Sequence, residues 1–166
     1  MAAVTLGGQA VQTIGSLPPI GTIAPDFSLT NIELAEISLR DFHGKKRVLN
    51  IFPSLDTPTC SLAMKRFNRL ATQLPTVLVL CISADLPFAQ KRFCGAENLT
   101  QVLSFSTFRH PEFGQRYGVT LTTGLLAGLL SRAVLVLDEE GKITYTQQVS
   151  EISEEPDYDA VLAALK

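Results

Sequence analysis

Two short runs of mostly apolar residues, Arg47–Pro53 (RVLNIFP) and Pro75–Ser83 (PTVLVLCIS), read as strands buried on both faces. Between them Ala63, Phe67, Leu70, Ala71 and Leu74 recur at helical spacing, while Lys65, Arg66 and Arg69 take the other face. This pattern predicts an amphipathic helix over Cys60–Leu74. Strand, helix and strand within about 35 residues make a βαβ unit, which implies a parallel pair and a right-handed crossover. Arg132–Asp138 (RAVLVLD) predicts a third buried strand, turning at Glu140-Gly141 into a hairpin partner over Lys142–Val149. Phe88–Phe93 and Pro111–Tyr117 read as short helices. The last helix is signalled by Pro156 in its first turn, by Glu154, Glu155 and Asp157 nearby, and by Tyr158, Val161, Leu162 and Leu165 on one face. Val4–Leu6 and Ala10–Ile14 flank Gly7-Gly8 and predict a hairpin with a primed turn. With no repeat or linker in view, residues 1–166 read as one α/β domain, its hairpin within residues 1–16. Gly124–Leu130 (GLLAGLL) is more apolar than a loop should be, and reads either as a core helix or as part of a subunit interface.

Composition narrows the function classes. At 166 residues and 46% hydrophobic content, the chain buries enough surface to fold without disulfide or metal staples. Beyond the N-terminal segment its longest uncharged apolar-rich stretches are 15 residues each (Leu70–Ala84 and Tyr117–Ser131) and are broken by polar or helix-breaking residues, so no membrane span is expected. Fourteen Lys and Arg against sixteen Asp and Glu leave a net charge of −2, and no basic run exceeds Lys45-Lys46-Arg47. Nucleic acid is not an expected partner. The first 25 residues carry no charged side chain but lack the basic start and unbroken apolar block of a signal peptide, so a cytoplasmic location is expected. The acidic stretch Glu151–Glu155 reads as a solvated approach to the last helix. His43 and His110 sit in polar, loop-like contexts and read as surface residues. With three scattered cysteines they match no zinc-ligand spacing, and neither metal nor cofactor is expected.

The cysteines are Cys60, Cys81 and Cys94, too few and too odd for a disulfide framework. Cys81 lies in mid-strand and reads as a buried, inert thiol. Cys60 stands where a strand gives way to a helix, with Thr57 as a natural N-cap and Pro58 fitting the first helical position. A thiol in a helix's first turn faces unpaired backbone N–H groups and the positive dipole end. An ordinary thiol is only about 3% ionised at pH 7, and becoming mostly thiolate takes roughly 2.7 kcal/mol. A helix terminus typically supplies about 0.3–1 kcal/mol, so a cation is expected beside Cys60. Arg132, at the head of a buried strand and out of place there as a structural residue, is the candidate. Cys94, at the end of a short polar helix, is by composition alone either a chance thiol or a functional one.

These residues carry a resemblance. Pro53, Thr57 and Cys60 match the P-x-x-x-T-x-x-C motif of the peroxiredoxins, and Arg132 stands where that family has its active-site arginine. The blocks LNIFPSLDTPTC, LCISADLPFAQKRFCGAENL and EISEEPDYDAVLAALK resemble the bacterial thiol peroxidase branch, the atypical two-cysteine peroxiredoxins. The resemblance implies a thioredoxin-like fold, a mixed sheet flanked by helices, decorated with the N-terminal hairpin. It implies a peroxidase in which Cys60 is peroxidatic and Cys94 resolving, with Thr57, Arg132 and Pro53 completing the site. It further implies hydroperoxide substrates, thioredoxin as electron donor and a homodimer. No cysteine lies near the C-terminus, so Cys94 must resolve if resolution is intramolecular. Thr57 holds the place of the first cysteine in thioredoxin's C-x-x-C, which excludes dithiol exchange within the motif. The residues taken alone also fit a non-peroxidatic thiol–disulfide sensor or exchange protein, or a binding module in which the thiols are incidental.

Overall fold

The computed structural model describes residues 2–166. Strands β1 (Ala3–Leu6) and β2 (Gln9–Gln12) form an antiparallel hairpin. Its turn residues Gly7 and Gly8 both have positive φ (57° and 82°), as a primed turn demands. Then follow β3 (Ser28–Asn31), β4 (Glu36–Ser38), a 3₁₀ turn (Leu39–Phe42), β5 (Lys46–Ile51), α1 (Pro58–Gln73), β6 (Val77–Ser83), α2 (Pro87–Ala96), β7 (Leu103–Ser106), α3 (Glu112–Tyr117), β8 (Ala133–Leu137), β9 (Ile143–Gln148) and α4 (Tyr158–Ala164). The main sheet runs β4-β3-β7-β6-β5-β8-β9. Strands β5 and β6 pair in parallel across α1, as the apolar runs predict, and β8 and β9 form the antiparallel hairpin.

Period-2 alternation divides the core between the two faces of the sheet. Leu49, Ile51, Leu80, Ile82, Leu135 and Leu137 join Phe27, Phe113 and Tyr117 in one layer. Val48, Val79, Cys81, Val134 and Val136 pack on the other face against Cys60, Met64, Phe67 and Leu70 of α1 and Val161 of α4. Phe93 and Cys94 of α2 lie against this second layer, so the sheet's alternation brings all three cysteines to one side. Arg47 is buried and makes no direct ion pair among the described residues; its guanidinium donates to the carbonyls of Lys45 (3.0 Å) and Asp138 (2.9 Å) and ties β5 to the β8–β9 turn.

Several expectations need correction. Helix α2 extends from Pro87 to Ala96 and encloses Cys94, which a helix over Phe88–Phe93 would have left outside. Asp157 rather than Pro156 starts α4: its Oδ1 accepts from Ala160 N at 3.0 Å, while Pro156 is buried just ahead of the helix. Gly124–Leu130 forms turns, not a core helix. Leu126 packs under the hairpin with Val4 and Val11, Leu130 enters the main core, and Leu125 is 96% exposed. Gly124 is required there: its φ is 82°, and an added Cβ would lie 2.6 Å from Val11 Cγ1. His110 is not a free surface residue, because its ring bridges the carboxylates of Glu36 on β4 and Glu112 on α3. His43 is exposed. Among the described residues no helix is long and apolar enough to cross a membrane, and no group of three or more His, Cys, Asp or Glu is placed to hold a metal.

Candidate active site

Strand β5 ends at Ile51, and Pro53 is buried in the bend beyond it. Thr57 has the extended backbone of an N-cap (φ −91°, ψ 143°), and its Oγ1 accepts from Cys60 N at 3.2 Å. The same hydroxyl donates to Ser54 O at 3.2 Å, which tightens the loop between strand and helix. Cys60 is therefore the third residue of α1, among the unpaired N–H groups of the helix start, and its side chain is wholly buried.

Arg132, immediately before β8 and 1% exposed, reaches across to this thiol. Its Nη2 donates to Cys60 Sγ at 3.2 Å and its Nε to Ile152 O at 2.7 Å. Nη1 is buried without a hydrogen-bond partner among the described residues. The guanidinium is held on one side by a carbonyl, with one fork nitrogen on sulfur and the other uncommitted. The cation expected from the energetics of the thiol is thus present.

Residues 151–153 support this arrangement, and here the sequence reading of a merely solvated acidic stretch is corrected. The Glu151 carboxylate accepts from Gly8 N (2.8 Å), Gly7 N (3.2 Å), Thr5 Oγ1 (3.0 Å) and Ser153 N (2.9 Å). The Ser153 N–H, the Ser153 hydroxyl, the Gly8 N–H and the Thr5 hydroxyl together hold its carboxyl well below the ordinary 4.5, at about 2. Ile152 O anchors Arg132, and Ser153 O accepts from Thr59 Oγ1 of α1 at 2.7 Å. One loop joins the hairpin, the arginine and the helix start.

A second support runs through Asp85, past the end of β6. Its carboxylate accepts from Ser54 Oγ (2.8 Å), Leu55 N (2.9 Å) and Ser83 Oγ (2.7 Å). Ser83 Oγ in turn accepts from Gln90 Nε2 (3.3 Å) of α2, which also donates to Phe105 O (2.8 Å). Asp85, Gln90 and Glu151 escaped the sequence reading. The available signal was the Asp85-Leu86-Pro87 step, an acid at a strand end ahead of a proline-started helix.

Cys94 and Cys60 are unbonded thiols on two regular helices. Cys94 Sγ lies 3.4 Å from Ser104 Oγ, and partial burial raises its pKa above the ordinary thiol range. It lines an apolar groove of about 680 Å³ shared with Ile37, Phe42, Leu99, Val102 and Phe105. Cys81, fully buried in the second core layer, has its thiol pushed up to about 12 by desolvation, and its sulfur accepts from Asn50 Nδ2 at 3.5 Å. The site thus offers one buried sulfur beside a cation at a helix start, a second thiol one helix away, and a third kept protonated.

A sequence profile of the redoxin family matches residues 19–162. The thiol peroxidases of Mycobacterium bovis and Mycobacterium tuberculosis are each 50% identical to this chain over 165 residues, 99% of it and 99% of theirs. The crystal structure of a peroxiredoxin-like protein from Aquifex aeolicus superposes with a TM-score of 0.92 at 39% identity, covering 98% of this chain and 95% of that one. Its fold is accordingly the thioredoxin-like arrangement of peroxiredoxins, with β1–β2 as the added hairpin. The chain belongs to the redoxin family, in its thiol peroxidase branch.

Proposed function

We propose that this chain reduces hydrogen peroxide and organic hydroperoxides through Cys60, with Cys94 as the resolving thiol and thioredoxin as the electron donor. The observation that carries the reading is the buried Arg132 Nη2–Cys60 Sγ contact of 3.2 Å at the first turn of α1. A guanidinium there, with the N–H groups of the helix start, faces the sulfur and stabilises negative charge that sits on it during the reaction. The Cys60 sulfur bonds to one peroxide oxygen as the O–O bond breaks. The other oxygen leaves as hydroxide or alkoxide, takes a proton, and departs as water or alcohol, leaving a sulfenic acid on Cys60. Negative charge moves from sulfur to the departing oxygen, where the uncommitted Nη1 of Arg132 is available to receive it. The Thr57 hydroxyl, which donates to Ser54 O, fixes the loop, and buried Pro53 is assigned the role of shielding the sulfur from water.

Cys94 then attacks the sulfenic sulfur; the S–S bond forms and water leaves. Burial disfavours its thiolate while α2 is folded, so Cys94 becomes a good nucleophile only on leaving the helix. A dithiol reductant returns both cysteines to thiols and becomes a disulfide itself. The apolar groove beside Cys94 gives such a protein donor a surface to meet. The reading includes a cytoplasmic homodimer, and exposed Leu86, Phe88 and Phe108 supply apolar surface suited to a subunit contact.

One equivalent of hydrogen peroxide should remove two thiols per chain, Cys60 and Cys94, and spare Cys81. Thioredoxin, its reductase and NADPH should then sustain turnover, which Cys60→Ser abolishes without loss of fold. Oxidation at ordinary free-thiol rates without turnover would replace this reading with a disulfide sensor.

A further inference from the structure

On the reading that Cys94 resolves Cys60, a disulfide between them draws on two segments that are regular helices in the reduced protein. A disulfide needs Cα atoms about 4.4–6.8 Å apart with converging side chains, and here the two thiols stand unbonded on separate helices. One chain of polar contacts holds both segments. At one end the Asp85 carboxylate takes Leu55 N and Ser54 Oγ, the loop that leads into α1. In the middle Ser83 Oγ donates to Asp85 and accepts from Gln90. At the other end Gln90, one turn before Cys94 on α2, is 1% exposed and pins its helix to Phe105 O of β7. Bonds to an ionised carboxylate are the strong members of such a chain. The weak member is Gln90 itself, whose buried Oε1 has no partner among the described residues. A buried amide that is only half satisfied makes the folded helix costlier to keep. The two ends are thus tied together by a network that is strong at the loop and compromised at the helix.

We propose that Asp85 and Gln90, joined through Ser83, are positioning residues that latch the Cys60 loop and the Cys94 helix in their folded places together. Release of this latch sets how fast the disulfide forms relative to further oxidation of Cys60. The proposal rests on the reading that Cys94 resolves Cys60. While the latch holds, a Cys60 sulfenic acid is exposed to a second peroxide, which transfers an oxygen to sulfur, leaves as water or alcohol, and yields a sulfinic acid. When it opens, Cys94 arrives first and water is expelled instead. Asp85 touches neither thiol, so its effect belongs to the partition between these two fates.

Reduced wild type, Asp85→Asn and Gln90→Met are mixed with hydrogen peroxide, acid-quenched on the millisecond scale, alkylated and analysed by peptide mass spectrometry. Both variants keep side-chain size, and their thermal unfolding is measured alongside. Disulfide formation should quicken about tenfold in Asp85→Asn, the scale of one charge-assisted hydrogen bond, and by less in Gln90→Met, where loss of the bonds to Phe105 O and Ser83 Oγ is partly offset by removal of the unpartnered Oε1. The sulfinic fraction per turnover should fall by a similar factor, while the initial loss of the Cys60 thiol does not gain. Because the residues form one unit, the double variant should be no faster than the quicker single. A purely structural role lowers the melting temperature and leaves the partition at its wild-type value; that result in both variants, or slower disulfide formation, overturns the latch. A wild-type protein that consumes peroxide without ever forming the Cys60–Cys94 disulfide overturns the resolving role of Cys94 instead.

Discussion

Replacing Arg132 separates what its charge does from what its shape does. The contact to Cys60 Sγ is 3.2 Å long, and both side chains are buried. At an effective dielectric of about 20, a unit charge pair at that separation attracts by about 5 kcal/mol. Desolvation of the guanidinium offsets part of this, and removal of one preorganised donor from a comparable site costs about 2.7–4 kcal/mol. Arg132→Met should therefore slow the peroxide step about 10²–10³-fold. Arg132→Lys keeps the charge but replaces the planar fork and the Nε bond to Ile152 O with a single ammonium group. A third or more of that barrier increase should remain, a loss of about tenfold or more. The assay is single-turnover oxidation by hydrogen peroxide, with the rate of Cys60 alkylation at fixed neutral pH as a second readout and circular dichroism as the check on fold. Arg132→Met would orphan the Ile152 carbonyl and lose some stability, but that loss should not by itself slow alkylation. A methionine variant within about threefold of wild type in both readouts would refute the electrostatic argument. A lysine variant indistinguishable from wild type would show that charge alone suffices.

Thr57→Val removes the cap on Cys60 N and the donor to Ser54 O. It should cost about 1 kcal/mol, read as a melting temperature about 2–4 °C lower, and slow the peroxide step, whereas Thr57→Ser stays near wild type; a valine variant equal to wild type in both would remove Thr57 from the site. Glu151 has a folded pKa depressed from 4.5 to about 2, so its stabilising contribution is complete above pH 4.5 and is lost as pH falls from there through 2. In thermal unfolding against pH, Glu151→Gln should be less stable at pH 7 and lose less than wild type across that window, and parallel curves would contradict the clamp. Hydrogen exchange around residues 57–64 and 88–99 should quicken on conversion from dithiol to disulfide, with β5 and β8 unchanged; equal protection in both states would favour a single-cysteine mechanism with an external thiol.

Features with local causes are legible in the amino-acid sequence. Apolar runs placed β5, β6 and β8, helical spacing placed α1, and the Thr57-Pro58 step located the helix start and Cys60 within it. A thiol at a helix start calls for a cation, and Arg132, at the head of a buried strand, is the candidate that pattern offers; the structure brings its Nη2 to Cys60 Sγ. The remaining features depend on contacts between distant segments. Strands β3, β4 and β7 carry no clear alternation because Thr30, Ser104 and Ser106 are polar yet buried, and Thr30 Oγ1 finds its partner in Glu36 only once the strands meet. The short polar segment around Cys94 became a ten-residue helix because β7 lies beneath it to hold Gln90. Glu151 looked like a solvated acid because its partners Thr5, Gly7 and Gly8 lie more than 140 residues away in the chain. Asp85 and Gln90 likewise act on residues 15 to 31 positions distant. Periodicity and capping are written in neighbouring residues, whereas a hydrogen bond between distant loops depends on where the packed sheet sets them down.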